Sequence, residues 1–271
     1  MLIINKSKCV ACGSCVAECH RRALSLVDGE LQWDGEKCYG CGHCMALCPR
    51  ESLMLDGDGY DITDVEEFNI AARPKEGQVR EMIMMRRSLR NFTDNEISDE
   101  DLQKILEAGK YAPTAENKQG NMFLVVRSEE KRREILEDSF AVLKSVAADI
   151  LAGKRNDYSE TAAKNIMRMA EEFENEGIDG LFHGAPLFVY VFSDTIQNGA
   201  IAACTMGNMV YGLRLGFCYI GLGATAFEDK AMREKYNIPE GKYPAMALAI
   251  GDPEPEFFCT VPRKNPETII L

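Results

Sequence analysis

Eight of the chain's eleven cysteines lie between residues 9 and 48. They form two runs, Cys9, Cys12, Cys15, Cys19 and Cys38, Cys41, Cys44, Cys48, each reading C-x2-C-x2-C-x3-C. Every partner is offset by 29 residues, so the pattern is an internal repeat. Three thiolates two residues apart wrap one loop around three corners of an iron–sulfur cube. Gly13, Gly40 and Gly42 let the backbone close in and aim N–H groups at an anionic cluster. The fourth cysteine is carried away by the following helix and ligates the other cluster. The expected sets are therefore Cys9, Cys12, Cys15 and Cys48 for one [4Fe–4S] cluster, and Cys38, Cys41, Cys44 and Cys19 for the second. Structural zinc favours cysteine pairs separated by a longer loop, and disulfides would require export. His20 and His43 are read as solvated loop histidines, because all eight corners already have a thiolate.

The repeat extends beyond the ligands: Ala23-Leu24-Ser25-Leu26 aligns with Ser52-Leu53-Met54-Leu55. Each half reads as a cysteine loop, a short helix and a short apolar strand. Residues 1–57 resemble a bacterial two-cluster ferredoxin, with His20 where that family usually has Pro; the second half keeps Pro49. Asp56-Gly57-Asp58-Gly59 is a turn signal, and the polar stretch 58–80, with Arg73-Pro74-Lys75-Glu76-Gly77, reads as a linker. A second domain spans 81–271 and is long enough for its own core.

The second domain mixes helices and strands. Ser98 with Asp101 resembles a capping box opening a helix to about Gly109. Met122–Arg127, Ala185–Ser193, Phe217–Leu222 and Tyr243–Ile250 read as strands, and 129–151, 158–176 and 196–215 as helices. This order implies an α+β sandwich around one sheet. Thr195–Leu213 is uncharged, but its Asn, Gln and Gly residues make it a buried helix rather than a membrane span. Its small residues, Ala200, Ala202, Ala203, Gly207 and Gly212, suit a subunit interface or a monomeric core.

Three polar segments of this domain could bind a ligand. In Arg86-Arg87-Ser88-Leu89-Arg90-Asn91-Phe92, an extended backbone would put Arg86, Ser88 and Arg90 on one face. Two guanidinium forks and a hydroxyl suit a phosphate and a carbonyl-rich ring; a solvated basic turn is the alternative. Pro113-Thr114-Ala115-Glu116-Asn117-Lys118-Gln119 is a loop with amides that could read a ring edge, or simply a turn. Pro262-Arg263-Lys264 is a basic pair in an acidic chain.

Taken in order, these segments resemble the FMN-dependent nitroreductases. The resemblance rests on RRSLRNF (86–92), PTAENKQ (113–119), HGAPLFVYV (183–191), the long central helix, GLGATAF (221–227), YPAMALAIG (243–251) and PRK (262–264), over about 70% of the chain. It implies an α+β fold and an intertwined homodimer with FMN at the dimer interface. Arg86, Ser88 and Arg90 would then contact the phosphate-bearing chain and the N1/C2=O side of the ring, with Arg87 a further phosphate contact. Pro113, Thr114 and Asn117 would come from the partner subunit. Backbone groups around Thr225 and Ala226 would face N5, and Arg263 and Lys264 would meet the phosphate. The chain departs from the family at Gly120-Asn121, where Pro and an aromatic residue are common, and in lacking an acidic residue at GLGATAF.

Gly221-Leu222-Gly223-Ala224-Thr225-Ala226 also matches G-x-G-x-x-A. The dinucleotide reading is set aside because no βαβ unit surrounds it, and because Asp229 reads as the cap of the next helix, so that the Gly segment should not open one directly. The net charge of −12, without a basic block, argues against nucleic-acid or anionic-membrane binding. The N-terminal apolar run is too short for a signal peptide, so a cytoplasmic protein is expected. Together these readings give an iron–sulfur flavoprotein oxidoreductase in which the clusters pass electrons to or from the flavin. It would reduce a small electron-poor acceptor such as a nitroaromatic, quinone or enone, with reduced ferredoxin or NAD(P)H as candidate donors. A non-catalytic electron carrier and a redox sensor are the alternatives, and no side chain is assigned as catalytic acid or base.

Overall fold

The computed structural model describes residues 1–57, 59–60 and 65–271. Parts of the expected turn and linker, residues 58 and 61–64, lie outside the described residues. The chain divides into two compact units: residues 1–73 with 114–119, and residues 74–113 with 120–271.

In the first unit the two repeats build matching halves. Strand β1 (Leu2–Ile4) pairs antiparallel with β4 (Leu53–Leu55), so the first and last strands of the module close on each other. Strands β2 (Leu24–Val27) and β3 (Glu30–Trp33) form a hairpin across Asp28 and Gly29, both at positive φ as a two-residue turn of this hand requires. Helix α1 (Ser14–Glu18) starts after Gly13 at φ 80°, and α2 (His43–Ala46) after Gly42 at φ 75°. These two glycines occupy equivalent places in the repeat and take a conformation that costs other residues strain. Leu2, Cys15, Leu24, Leu31 and Leu53 form a small core.

The second unit is built on a four-stranded sheet of order β5-β6-β8-β7, with β5 Met122–Val126, β6 Leu187–Ser193, β7 Gly216–Ile220 and β8 Tyr243–Gly251. All three pairings are antiparallel. Side chains alternate across it. Phe188, Tyr190, Phe192, Ala247, Ala249, Cys218 and Ile220 meet residues of α5 (Glu129–Leu151), α6 (Glu160–Glu176) and α8 (Gly221–Ala226). Leu187, Val189, Val191, Leu248, Ile250 and Phe217 meet α4 (Asp99–Lys110) and α7 (Ile196–Gly212) on the other face. All of β6 is buried, as its unbroken apolar run requires. The capping signals hold: Ser98 accepts from Asp101 N–H, and Asp229 caps α9 (Lys230–Lys235) by accepting from Met232 N–H.

Two expectations are corrected here. Helix α3 (Glu76–Met85) starts ahead of residue 81, so residues 76–80 are helical rather than linker. Gln78 reaches back to the Lys75 N–H at 2.9 Å to begin it, but no residue of α3 is buried, so no apolar periodicity announces it. Second, Gly221 does open a helix directly from β7, because the chain turns into α8 at once. The dinucleotide reading still fails: α8 is six residues long, and β7 pairs antiparallel with β8, so there is no parallel crossover.

Candidate functional site

One cavity is lined by Cys9, Cys12, Cys15 and Cys48, and a second by Cys19, Cys38, Cys41 and Cys44. Among the described residues no three His, Cys, Asp or Glu groups converge on a point where one ion would sit; four thiols instead surround each space. The backbone already serves sulfur. Ala23 N–H donates to Cys19 Sγ and Ser52 N–H to Cys48 Sγ, each at 3.3 Å and exactly one repeat apart, while Gly40 N–H donates to Cys38 Sγ at 3.4 Å. Such bonds favour thiolate, the ligand form. Burial pushes the Cys44 thiol up to about 11, helped by the nearby Cys41, Cys38 and Cys15, so metal must displace a proton there. At Cys48 burial also raises the thiol, but bonds from the Ser52 hydroxyl and amide outweigh it and the net shift is downward. The donor set, cavity by cavity, fits an iron–sulfur cluster. His20 and His43 are exposed, as expected.

In the second unit, residues 86–93 run along the sheet's end. Ser88 bridges Phe217 in parallel, Leu89 N–H donates to Phe217 O at 2.9 Å, and Thr93 N–H to Asp252 O at 3.1 Å. Leu89 is buried and fills the space left by Gly216, where an added Cβ would stand 2.6 Å from Leu89 Cδ2. Ser88 and Arg90 accordingly face outward, and Arg86 is half-buried with its guanidinium 5.5 and 5.6 Å from the Phe217 and Tyr219 rings. Arg87 is also half-buried. His183 enters at the foot of β6, at φ 60°. Burial lowers its pKa; Asp179 opposes this and the Arg90 charge adds to it.

Thr225 and Ala226 lie in the last turn of α8 with their side chains buried, Thr225 Oγ1 bonding Tyr158 OH at 2.7 Å. Their N–H groups are used inside the helix. Pro113 belongs to the second unit, but Thr114 and Asn117 cluster with the first. There Asn117 Nδ2 donates to Gly40 O at 3.0 Å, beside Tyr60 OH, which donates to the same carbonyl at 2.8 Å. Glu116, Asn117 and Gln119 all have positive φ, a strained run that Thr114 steadies by accepting from Gln119 N–H. Arg263 and Lys264 are exposed on an extended tail.

Three contributors escaped the sequence reading. Ser14 and Ser52 contact cluster cysteines, and only the repeat alignment hints at them. Lys242 Nζ bonds Gly120 O and Asp194 Oδ1, both at 2.6 Å, fastening Gly120 to the residue that follows β6. A Cβ at Gly120 would overlap the Asp194 carboxylate, which explains glycine where the resembled family has proline.

The second unit is an α+β domain behind a cysteine-rich module. The nitroreductase family matches residues 83–252, more than half of the chain, and the 4Fe-4S dicluster domain matches residues 8–52. The chain belongs to the nitroreductase family and carries an N-terminal 4Fe–4S module; it is an oxidoreductase. An Archaeoglobus fulgidus protein with the provisional name NADH dehydrogenase/NAD(P)H nitroreductase is 28% identical over 69% of this chain and 94% of its own length. The FMN reductase (NADPH) of Bacillus subtilis is 29% identical over 64% of this chain; the match spans 65% of that protein, just under two thirds. The solved Bacteroides fragilis nitroreductase with bound FMN shares the fold, with TM-score 0.57, 22% identity, and coverage of 71% of this chain and 98% of that one. Among the described residues no helix is long and apolar enough to cross a membrane.

Proposed function

We propose that the chain is an iron–sulfur flavoenzyme with two [4Fe–4S] clusters and one FMN, working as a homodimer. The observation that carries the reading is the sorting of eight cysteines into two four-thiol cavities ahead of a nitroreductase-family domain. Arg86, Ser88 and Arg90 hold the phosphate-bearing chain and the N1/C2=O edge, where positive charge stabilises a reduced, anionic ring. Arg87, Arg263 and Lys264 add phosphate contacts. Backbone groups around Thr225 and Ala226 face the ring's N5 edge. Pro113, Thr114 and Asn117 reach a flavin bound mainly by the partner subunit. When bound, FMN supplies hydride-equivalent chemistry and the clusters supply single electrons.

The homodimer is supported by apolar surface left open on α7, at Ile196 and Ile201, and on the tail, at Phe258, Ile269 and Ile270. The acceptor is a small electron-poor molecule of the nitroaromatic, quinone or enone type. NAD(P)H or a reduced ferredoxin is the donor; relatives are named for NAD(P)H and NADPH. The test is a screen of donors and acceptors with the anaerobically prepared full chain. Turnover of a small acceptor is expected. A protein that exchanges electrons with ferredoxins but turns over no small acceptor would instead be a carrier.

A further inference from the structure

The repeat provides an internal control, because each residue around one cavity has a counterpart 29 positions away around the other. Most counterparts match. Arg50 lines the first cavity and Arg21 the second. The Ser52 and Ala23 amides serve Cys48 and Cys19 alike. The hydroxyls do not match. Ser52 Oγ lies 3.2 Å from Cys48 Sγ, and Ser14 Oγ lies 3.5 Å from Cys12 Sγ. Their counterparts are Ala23, which has no hydroxyl, and His43, which is exposed. Ser52 is itself buried, so its hydroxyl is held against the sulfur rather than turned to water. In return, among the described residues, the second set gains a backbone bond from Gly40 N–H to Cys38 Sγ.

Reduction adds one negative charge to a cluster, and donors aimed at its ligand sulfurs stabilise that charge, so they raise the potential. We infer that the two clusters are unequal, and that Ser14 and Ser52 make the Cys9/Cys12/Cys15/Cys48 cluster the more positive of the pair, the site where the first electron comes to rest. Cys12 is also the one exposed ligand of the eight, and solvent acts in the same direction. The step is electron transfer alone: a one-electron reductant is oxidised, one cluster is reduced, and no bond forms or breaks. Ser14 and Ser52 are positioning residues for charge, not ligands. The inference rests on the two-cluster reading.

The test is an anaerobic dithionite titration of the full chain followed by electron paramagnetic resonance, with iron and sulfide measured on each sample. Two separated one-electron steps are expected. Ser52→Ala should lower the higher step and leave the lower one in place. The reciprocal Ala23→Ser should raise the lower step, and the pair of changes together should narrow or invert the gap. Ser14→Ala repeats the first arm should Ser52→Ala fail to assemble its cluster. Titrations at two pH values separate any contribution of His43. A Ser52→Ala chain with full iron and unchanged steps, or with only its lower step moved, overturns the inference. A wild-type chain that lacks iron overturns the two-cluster reading instead.

Discussion

The cysteine module and the nitroreductase-family domain reach their candidate sites by opposite routes. In the module, three cysteines lining each cavity sit within one seven-residue window, and only the fourth comes from the other half of the repeat. In the second unit, Arg86, Ser88 and Arg90 are positioned by a strand more than a hundred residues away, through Leu89 N–H on Phe217 O and the buried Leu89 side chain. A site written in local spacing survives almost any change that leaves the loop intact. A site assembled by tertiary contacts depends on residues that touch no ligand, such as Gly216 beneath Leu89.

The largest expected effect tests the one non-local feature of the module. Cys19→Ser should remove the cluster of Cys38, Cys41 and Cys44, and Cys48→Ser that of Cys9, Cys12 and Cys15, with iron falling by about half in each. Loss of the same-half cluster, seen by resonance signature, would break the crossed assignment. Next, Arg86→Ala should weaken FMN retention about 5- to 150-fold, equivalent to about 1–3 kcal/mol, with little change in melting temperature. Equilibrium dialysis and a thermal scan check this together; unaltered retention would remove Arg86 from the site. Gly120→Ala should destabilise the fold by about 1–3 kcal/mol, because its Cβ must displace the Asp194 carboxylate from Lys242. Denaturant unfolding measures it, and an unchanged midpoint would show that this clamp yields freely.

The sequence was most legible where chemistry is local. The cysteine spacing, the caps at Ser98 and Asp229 and the apolar run of β6 each depend on neighbours within a few positions. Helix α3 was hidden because an exposed helix needs no apolar stripe, and α8 because two glycines in six residues read as a turn. The Lys242–Asp194–Gly120 clamp joins residues 122 positions apart and leaves no local trace. The 113–119 loop was recognisable as a motif, but its hydrogen bond from Asn117 to Gly40 was not.

The smallest effect concerns pH. Burial holds His183 below its ordinary pKa, so the unfolded chain binds its proton more readily than the folded one. Stability should fall as pH drops below the ordinary histidine value of about 6.5, and level off once the folded-state value is passed. His183→Gln should flatten that part of the stability profile; an unchanged slope would assign it to other groups.

The central claim, two four-thiol cluster sites and a flavin in one chain, is tested most directly by stoichiometry. Anaerobically prepared full-length protein should contain about eight iron and eight inorganic sulfide atoms and about one FMN per chain. Zinc in place of iron, or iron without inorganic sulfide, would contradict it.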